Sequence, residues 1–276
     1  MSVSPTDVPR IELNDGTSIP QIGLGVWRAN DEEAAQAVRD ALAVGYRHVD
    51  TAMMYRNERG VGEGVSSSGV PREEIYLTSK VWNDDIRAGR TREALDATLE
   101  RLGTDYADLM LLHWPADGRV DAWRALIEAR EAGRVRAIGV SNFLPEHLDE
   151  LVEQTSVTPT INQIEHHPLL TQPEIRAACE RHGIAVEAWS PLMQGKFGEE
   201  TALGEIAAAH DRSEAQVVLR WALQRDVIVI PKSVRPERIE ENISILDFAL
   251  DDDEMARIDA LDRGERLGPD PETFDF

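Results

Sequence analysis

This chain of 276 residues is short of several residue types, and each shortage excludes something. It has one cysteine, Cys179, so an intrachain disulfide framework is impossible and a reducing cytoplasm is the expected compartment. That cysteine falls in the helical pattern Ala177-Ala178-Cys179-Glu180, where a buried structural thiol is expected rather than a nucleophile. No apolar run reaches the roughly 18 residues that suggest a membrane-spanning helix. Met1 to Arg10 contains no basic segment leading into an apolar one, so no secretory signal is read there. Cations are also scarce, at 29 Lys and Arg against 51 Asp and Glu, for a net charge of −22. Nucleic acid is thereby excluded as a partner, because phosphate binding needs a basic surface. Lysine is the scarcest cation, with only Lys80, Lys196 and Lys232. An acidic chain nearly free of lysine resembles a salt-adapted protein, whose self-repulsion is screened at high ionic strength. A genome rich in arginine codons is the alternative, although it does not by itself account for the charge.

What is present is a regular alternation. A hairpin is expected at Ile11 to Ile19 around Asp15-Gly16, a favoured two-residue turn. After it, short apolar segments near 22–25, 47–50, 75–80, 107–113, 135–140, 160–165, 184–189 and 227–230 read as strands. Helical patterns near 31–44, 58–68, 90–102, 120–132, 144–153, 172–182 and 202–224 separate them, the last broken near Asp211. Further helices are read near 236–246 and 251–262, where Asp251 to Glu254 suits a helix N-terminus. Strand–helix alternation implies a parallel sheet, either open and doubly wound or closed as a barrel. A doubly wound nucleotide binder needs a glycine-rich turn after its first strand. Gly23-Leu24-Gly25 lacks the third glycine, and Gly60-Val61-Gly62-Glu63-Gly64 sits inside a helical pattern, where close packing is expected instead. The count of eight strands favours an α/β (β/α)8 TIM barrel with an N-terminal β-hairpin and an extra C-terminal helix. Residues 1–276 form a single domain, since no linker or repeat interrupts them.

In such a barrel, chemistry gathers where the strands end. The second strand ends at Asp50, the third at Lys80 and the fourth at His113, and Tyr55 follows Asp50 by five residues. Singly these read as a helix cap, a surface charge and a core histidine. Jointly, consecutive strands bring an acid, a cation, an imidazole and a phenol to one mouth.

At this point the chain resembles the aldo-keto reductase family, and within it the prokaryotic 2,5-diketo-D-gluconate reductase branch. The motifs that carry the resemblance run along almost the whole chain. They are Gly23-Leu24-Gly25-Val26-Trp27, Asp50-Thr51-Ala52 with Tyr55 and Asn57-Glu58, Leu112-His113-Trp114-Pro115, Gly139-Val140-Ser141-Asn142-Phe143, Asn162-Gln163-Ile164-Glu165, Trp189-Ser190-Pro191-Leu192 and Ile230-Pro231-Lys232-Ser233. The resemblance implies reduction of a small carbonyl by NADPH, with Tyr55 as the general acid, Lys80 lowering its pKa, Asp50 holding Lys80, and His113 orienting the carbonyl. A fall of about two units in the phenol would correspond to roughly 3 kcal/mol.

The same resemblance assigns the cofactor contacts. Ser141, Asn142 and Gln163 match residues that hold the nicotinamide carboxamide, and Trp189 matches the aromatic on which the ring stacks. Ser190 and Leu192 match residues near the pyrophosphate. Lys232, Ser233, Arg235 and Arg238 match the cradle of the adenosine 2′-phosphate, which implies NADPH over NADH. Glu241 and Asn242 match adenine contacts. Lys196, in the loop after strand seven, is expected on the cofactor phosphates. Trp27, Trp82 and Trp114 match the substrate pocket, with Met54 adjoining, while Trp123 and Trp221 belong to the core. The short tail, with aromatics Phe274 and Phe276, suggests an open pocket. His166-His167 beside Glu165 does not read as a metal site, because successive strand residues point to opposite faces. The partner is a small carbonyl, with no nucleic acid and no membrane, and the chain is expected to be monomeric. Two other readings are a non-catalytic NADPH-sensing module of the same fold and an aldolase-like barrel with Lys80 as a Schiff-base nucleophile. Salt-bridging of Lys80 by Asp50 disfavours the latter.

Overall fold

A computed structural model describes residues 8–197 and 200–274. Phe276 lies outside the described residues, as do residues 1–7 of the N-terminal stretch. The first elements, β1 (Arg10–Glu12) and β2 (Ser18–Pro20), pair antiparallel, with Ile11 opposite Ile19. Their loop is one residue longer than the two-residue turn expected: Leu13 N–H donates to Thr17 O at 2.8 Å, enclosing Asn14, Asp15 and Gly16. Gly16 sits at φ +83°, and Asp15 Oδ1 accepts from Thr17 N at 2.9 Å, so the pair still makes the bend. The hairpin packs Leu13 and Ile19 against Tyr76, Leu109, Leu111, Ala137, Ile161 and Ile228. Tyr76, Ile161 and Ile228 are the first residues of their strands, so the hairpin closes the N-terminal end of the sheet.

Eight parallel strands follow, each hydrogen-bonded to its sequence neighbour. They are β3 (Leu24–Gly25), β4 (His48–Asp50), β5 (Tyr76–Val81), β6 (Ala107–Leu112), β7 (Val135–Ser141), β8 (Ile161–Glu165), β9 (Ala185–Trp189) and β10 (Ile228–Val229). Parallel bridges Ile22 to Val229 and Gly25 to Lys232 join the first to the last, so the sheet closes into the expected barrel. β3 and β10 are shorter than the apolar runs suggested. Pro231 has no N–H to continue the ladder, and Gly25 N–H reaches Pro231 O at 3.2 Å.

Around the barrel run α1 (Asp31–Ala43), α2 (Glu58–Ser67), α3 (Asn83–Arg87), α4 (Thr91–Leu102), α5 (Arg119–Glu131), α6 (Pro145–Thr155), α7 (Pro173–His182), α8 (Thr201–His210), α9 (Glu214–Leu223), α10 (Pro236–Ile243) and α11 (Asp252–Asp259). The short α3 had no sequence counterpart. The break at Asp211 is where it was read: this residue ends α8 at φ +52°, and α9 restarts from a Ser213–Gln216 capping box. Asp251 caps the extra helix α11, its carboxylate accepting from Glu254 N at 2.9 Å. Among the described residues no helix is long and apolar enough to cross a membrane. Cys179 is buried in α7, and burial pushes its thiol up to about 11, as suits a structural residue. Trp123 and Trp221 are core residues, as read.

The glycines of α2 let it lie against α1 and α4. A Cβ at Gly60 would stand 2.0 Å from Asp31 O, and one at Gly62 would stand 2.3 Å from Leu102 O. These are backbone atoms that cannot swing aside. Gly62→Ala is therefore expected to destabilise the fold by about 1–3 kcal/mol, read in urea unfolding. An unchanged midpoint would show that α2 packs less tightly.

Candidate active site

The motif residues after β4 build the loop that carries Tyr55. Asn57 Nδ2 donates to Val26 O at 2.9 Å and Ala29 O at 3.0 Å, and Asn57 Oδ1 accepts from Thr51 Oγ1 at 2.7 Å. Glu58 is buried and accepts from Ser79 Oγ at 2.6 Å and Arg101 Nε at 2.5 Å. Between these anchors, Met53–Tyr55 forms a 3-10 turn that ends on Arg56 at φ +59°. The pinned turn aims Tyr55 back toward β5. There Lys80 Nζ donates to Asp50 Oδ1 at 2.6 Å, to Thr51 O at 2.9 Å and, at the longer distance of 3.5 Å, to Tyr55 OH. Lys80 is not the last residue of β5, since Val81 follows. His113 comes immediately after β6, with its ring 5.8 Å from that of Tyr55 and 5.1 Å from that of Trp82, both edge-on. The structure thus brings together the acid, cation, imidazole and phenol expected at the mouth.

Burial works against charge on Lys80, but the Asp50 carboxylate and the Tyr55 phenol outweigh it and hold the ammonium above its ordinary pKa. A protonated, salt-bridged lysine is a poor nucleophile, which removes the aldolase-like reading. Burial also lowers His113 well below its usual range, and Lys80 adds to that, so the imidazole is neutral. One sequence expectation needs correcting. Burial raises Tyr55 above the ordinary phenol value by more than Lys80 pulls it down, so no net fall occurs. The phenol is therefore protonated at neutral pH, which is the state a proton donor requires.

Below Asp50 lies a chain of polar groups that the sequence reading missed in part. Gln163 Nε2 donates to Asp50 Oδ2 and to Glu187 Oε2, both at 2.9 Å. Glu187 Oε1 stands 3.5 Å from His48 Nε2. Glu187 and His48 went unnoticed because neither sits at the C-terminal end of its strand: Glu187 is in the middle of β9 and His48 opens β4. The available signal was a lone acid in the otherwise apolar Ala185-Val186-Glu187-Ala188-Trp189.

The expected cofactor residues surround the rim. Asn142, at φ +63°, donates through Nδ2 to Ser141 Oγ at 3.0 Å and His113 O at 3.1 Å, and accepts from Trp189 Nε1 at 2.8 Å. Ser141 Oγ donates to Gln163 O at 2.8 Å. Trp189 is half-buried, and Ser190 and Leu192 beyond it open the loop toward the exposed Lys196. Lys232, Arg235 and Arg238 are exposed after β10, and none is ion-paired with another of the described residues. Ser233 is buried and accepts from Arg235 N at 3.1 Å, ordering that turn. Glu241 and the buried Asn242 share α10 with Arg238.

Trp27 and Met54 are exposed, whereas Trp114 is buried. Phe274 stacks on Trp114 with centroids 3.9 Å apart and stands 6.4 Å from Trp82. The short tail thus adds an aromatic wall instead of leaving the pocket open on that side. It is tethered by Glu165, whose Oε1 accepts from Leu267 N at 2.7 Å and Gly268 N at 3.1 Å. Gly268 lies so close to Trp189 that a Cβ there would be 2.3 Å from the indole. His166 stacks on Trp221 while His167 faces Glu165, so the two histidines diverge as strand geometry requires.

Comparison with known proteins agrees with this geometry. The model of the Aldo/keto reductase family matches residues 21–263. A glyoxal reductase of Bacillus subtilis is 49% identical over 268 residues, covering 96% of this chain and 97% of its own. A methylglyoxal reductase of Escherichia coli is 48% identical over 269 residues, with the same two coverages of 96% and 97%. Among solved structures, an aldo-keto reductase of Bombyx mori in complex with NADP superposes with a TM-score of 0.89 at 36% identity, covering 97% of this chain and 96% of its own.

The Lys80–Asp50 pair is completely buried, so each partner exists as an ion only because of the other. Lys80→Met is expected to lower the unfolding free energy by about 3–5 kcal/mol, by stranding a buried carboxylate. Adding Asp50→Asn should recover most of that loss in urea denaturation. A double variant no more stable than Lys80→Met would contradict the pairing.

Proposed function

Because the chain belongs to the aldo/keto reductase family, we propose that it reduces small aldehydes, ketones and keto-sugar acids to alcohols with NADPH. The observation that carries this reading is the meeting of Asp50, Tyr55, Lys80 and His113 at one barrel mouth, with a protonated phenol within reach of a buried ammonium. The names of the relatives favour glyoxal-type aldehydes. The likeness to the diketo-gluconate branch, in which tryptophan also occurs at the position of Trp189, extends the range to keto-sugar acids.

When bound, the reduced nicotinamide supplies the hydride. The chain's own residues do the rest. The neutral His113 ring can donate to a carbonyl oxygen and, with Trp82, orients it. As the oxygen gains charge it becomes a far stronger base than a phenolate, so the Tyr55 proton transfers despite its raised pKa. Lys80 then stabilises the phenolate left behind, and Asp50 keeps Lys80 charged and in place. Ser141 and Asn142 offer polar groups for a carboxamide. Because Gln163 Nε2 is committed to two carboxyl groups, its carbonyl oxygen is the atom free to receive the amide N–H. Trp189 offers an indole held by Asn142, against which a flat ring can stack. Lys232, Arg235 and Arg238, unpaired within the described residues, suit the 2′-phosphate, with Ser233 ordering their turn. Ser190, Leu192 and Lys196 would hold the pyrophosphate of the bound cofactor, and Glu241 and Asn242 its adenine. Trp27 and Trp114 wall the substrate, and the chain acts as a monomer.

Tyr55→Phe is expected to cut the reduction of methylglyoxal by about 10²–10⁴-fold, the share a positioned acid supplies, while NADPH still binds in a fluorescence titration. Near wild-type turnover would remove Tyr55 as the acid. A wild-type protein that binds NADPH but oxidises it with no carbonyl would instead be a sensor. Arg238→Ala should raise the KM for NADPH about 10-fold or more, as loss of a charge-assisted hydrogen bond implies, and leave that for NADH nearly unchanged. Lys196→Ala should weaken both cofactors alike. Equal losses for both cofactors in Arg238→Ala would remove the 2′-phosphate assignment.

A further inference from the structure

Glu187 is fully buried in the middle of β9, on the barrel axis beneath the reacting groups. Its Oε2 accepts one of the two Gln163 amide hydrogens, and Asp50 Oδ2 takes the other. Its Oε1 has no hydrogen-bond partner among the described residues. A carboxylate in that position would be expensive, because a buried anion needs a cation or several donors. The groups that face it are His48 and Asp50 on β4, Tyr76 and Lys80 on β5, Gln163 on β8, and Tyr55 in the turn above. Arg10 and Asp108 act on His48 and Tyr76 from the hairpin end. Lys80, the cation nearest the centre, is already committed to Asp50. His48 cannot supply a second positive charge, because burial holds its imidazole down to about 3.

We propose that Glu187 is a positioning residue for the proton donor: protonated, it shares Gln163 with Asp50 and leaves Lys80 free to act on Tyr55, whereas its ionised form places a second negative charge in the chamber and holds the Tyr55 proton back. The inference rests on the assignment of Tyr55 as the acid. The protonated carboxyl places its O–H toward His48 Nε2, 3.5 Å from Oε1, so both members of that pair are neutral. Ionisation would remove that contact and set two carboxylates on one amide nitrogen. It would raise the pKa of both Tyr55 and Lys80, making each a weaker acid, since Glu187 acts on each in that direction. Burial, reinforced by the Asp50 charge, pushes Glu187 up to about 8. The change of charge therefore falls at mildly alkaline pH, where such an enzyme can still be assayed. A rise of one unit in the phenol corresponds to about a tenfold loss of acid strength.

The test compares kcat for methylglyoxal reduction against pH at saturating NADPH, in the wild type and in Glu187→Gln. The amide keeps the size of the side chain and cannot ionise. The wild type should lose activity roughly tenfold through an inflection near pH 8, while the ratio of neutral to alkaline kcat in Glu187→Gln should approach one, whatever its absolute rate. Infrared difference spectra of the wild type should show the carbonyl stretch of a protonated carboxylic acid disappearing through the same inflection. That measurement needs no variant and stands even if Glu187→Gln folds poorly. An inflection retained in Glu187→Gln, or no acid stretch in the wild type below the inflection, would overturn the proposal. If Tyr55→Phe is inactive and the inflection is retained, only the role of Glu187 fails. If Tyr55→Phe stays active, the assignment of the acid fails first.

Discussion

A lysine ammonium buried in the barrel against an aspartate is the constraint around which the mouth is built. Desolvating both ions costs several kcal/mol each, and their attraction repays it only with close geometry and further hydrogen bonds. The structure provides both. The Lys80–Asp50 contact is 2.6 Å, the Thr51 carbonyl takes a second ammonium hydrogen, and Gln163 satisfies the other carboxylate oxygen. Pairing of β4 with β5 sets Asp50 opposite Thr78, two residues before Lys80 and on the same face of β5, so the lysine reaches the carboxylate, and the Asn57 and Glu58 anchors hold Tyr55 where the third ammonium hydrogen points. Loss of any one anchor would leave an unpaired ion or a misdirected phenol.

That arrangement sets what the site can do. The chamber is dry enough to keep His113 and His48 neutral and to hold the Tyr55 proton. A dry site with one well-placed ammonium favours a step in which negative charge develops on an oxygen beside it. Carbonyl reduction is such a step. In the proposed mechanism Lys80 does not make Tyr55 a strong acid; it makes the phenolate tolerable once the proton has left. Glu187, one layer deeper, bears on the same balance through Gln163.

Much of this was legible in the sequence, for identifiable reasons. The barrel followed from eight apolar segments separated by helical patterns, and the meeting of Asp50, Lys80 and His113 followed from their places at or near successive strand ends. The break at Asp211 and the cap at Asp251 are local signals, and both hold. The glycines of α2 were read as packing residues, and their contacts with α1 and α4 agree. What could not be read depends on depth and on distant contacts. The rise in the Tyr55 pKa comes from burial, which no motif encodes. Glu187 lies mid-strand and His48 at the start of its strand, away from the C-terminal ends, and their pairing crosses the barrel between residues far apart in the chain. The aromatic wall formed by Phe274 on Trp114 needs the tail to fold back over the mouth under the hold of Glu165.

The most direct test is a crystal structure of the chain with NADP+ and a small carbonyl or alcohol bound. The account predicts a nicotinamide ring stacked on Trp189, its carboxamide against Ser141, Asn142 and the Gln163 carbonyl oxygen, and the ligand oxygen within about 3 Å of both Tyr55 OH and the His113 ring. It also predicts the 2′-phosphate against Lys232 and Arg238. A nicotinamide bound away from Trp189, or a ligand oxygen that touches neither Tyr55 nor His113, would contradict it.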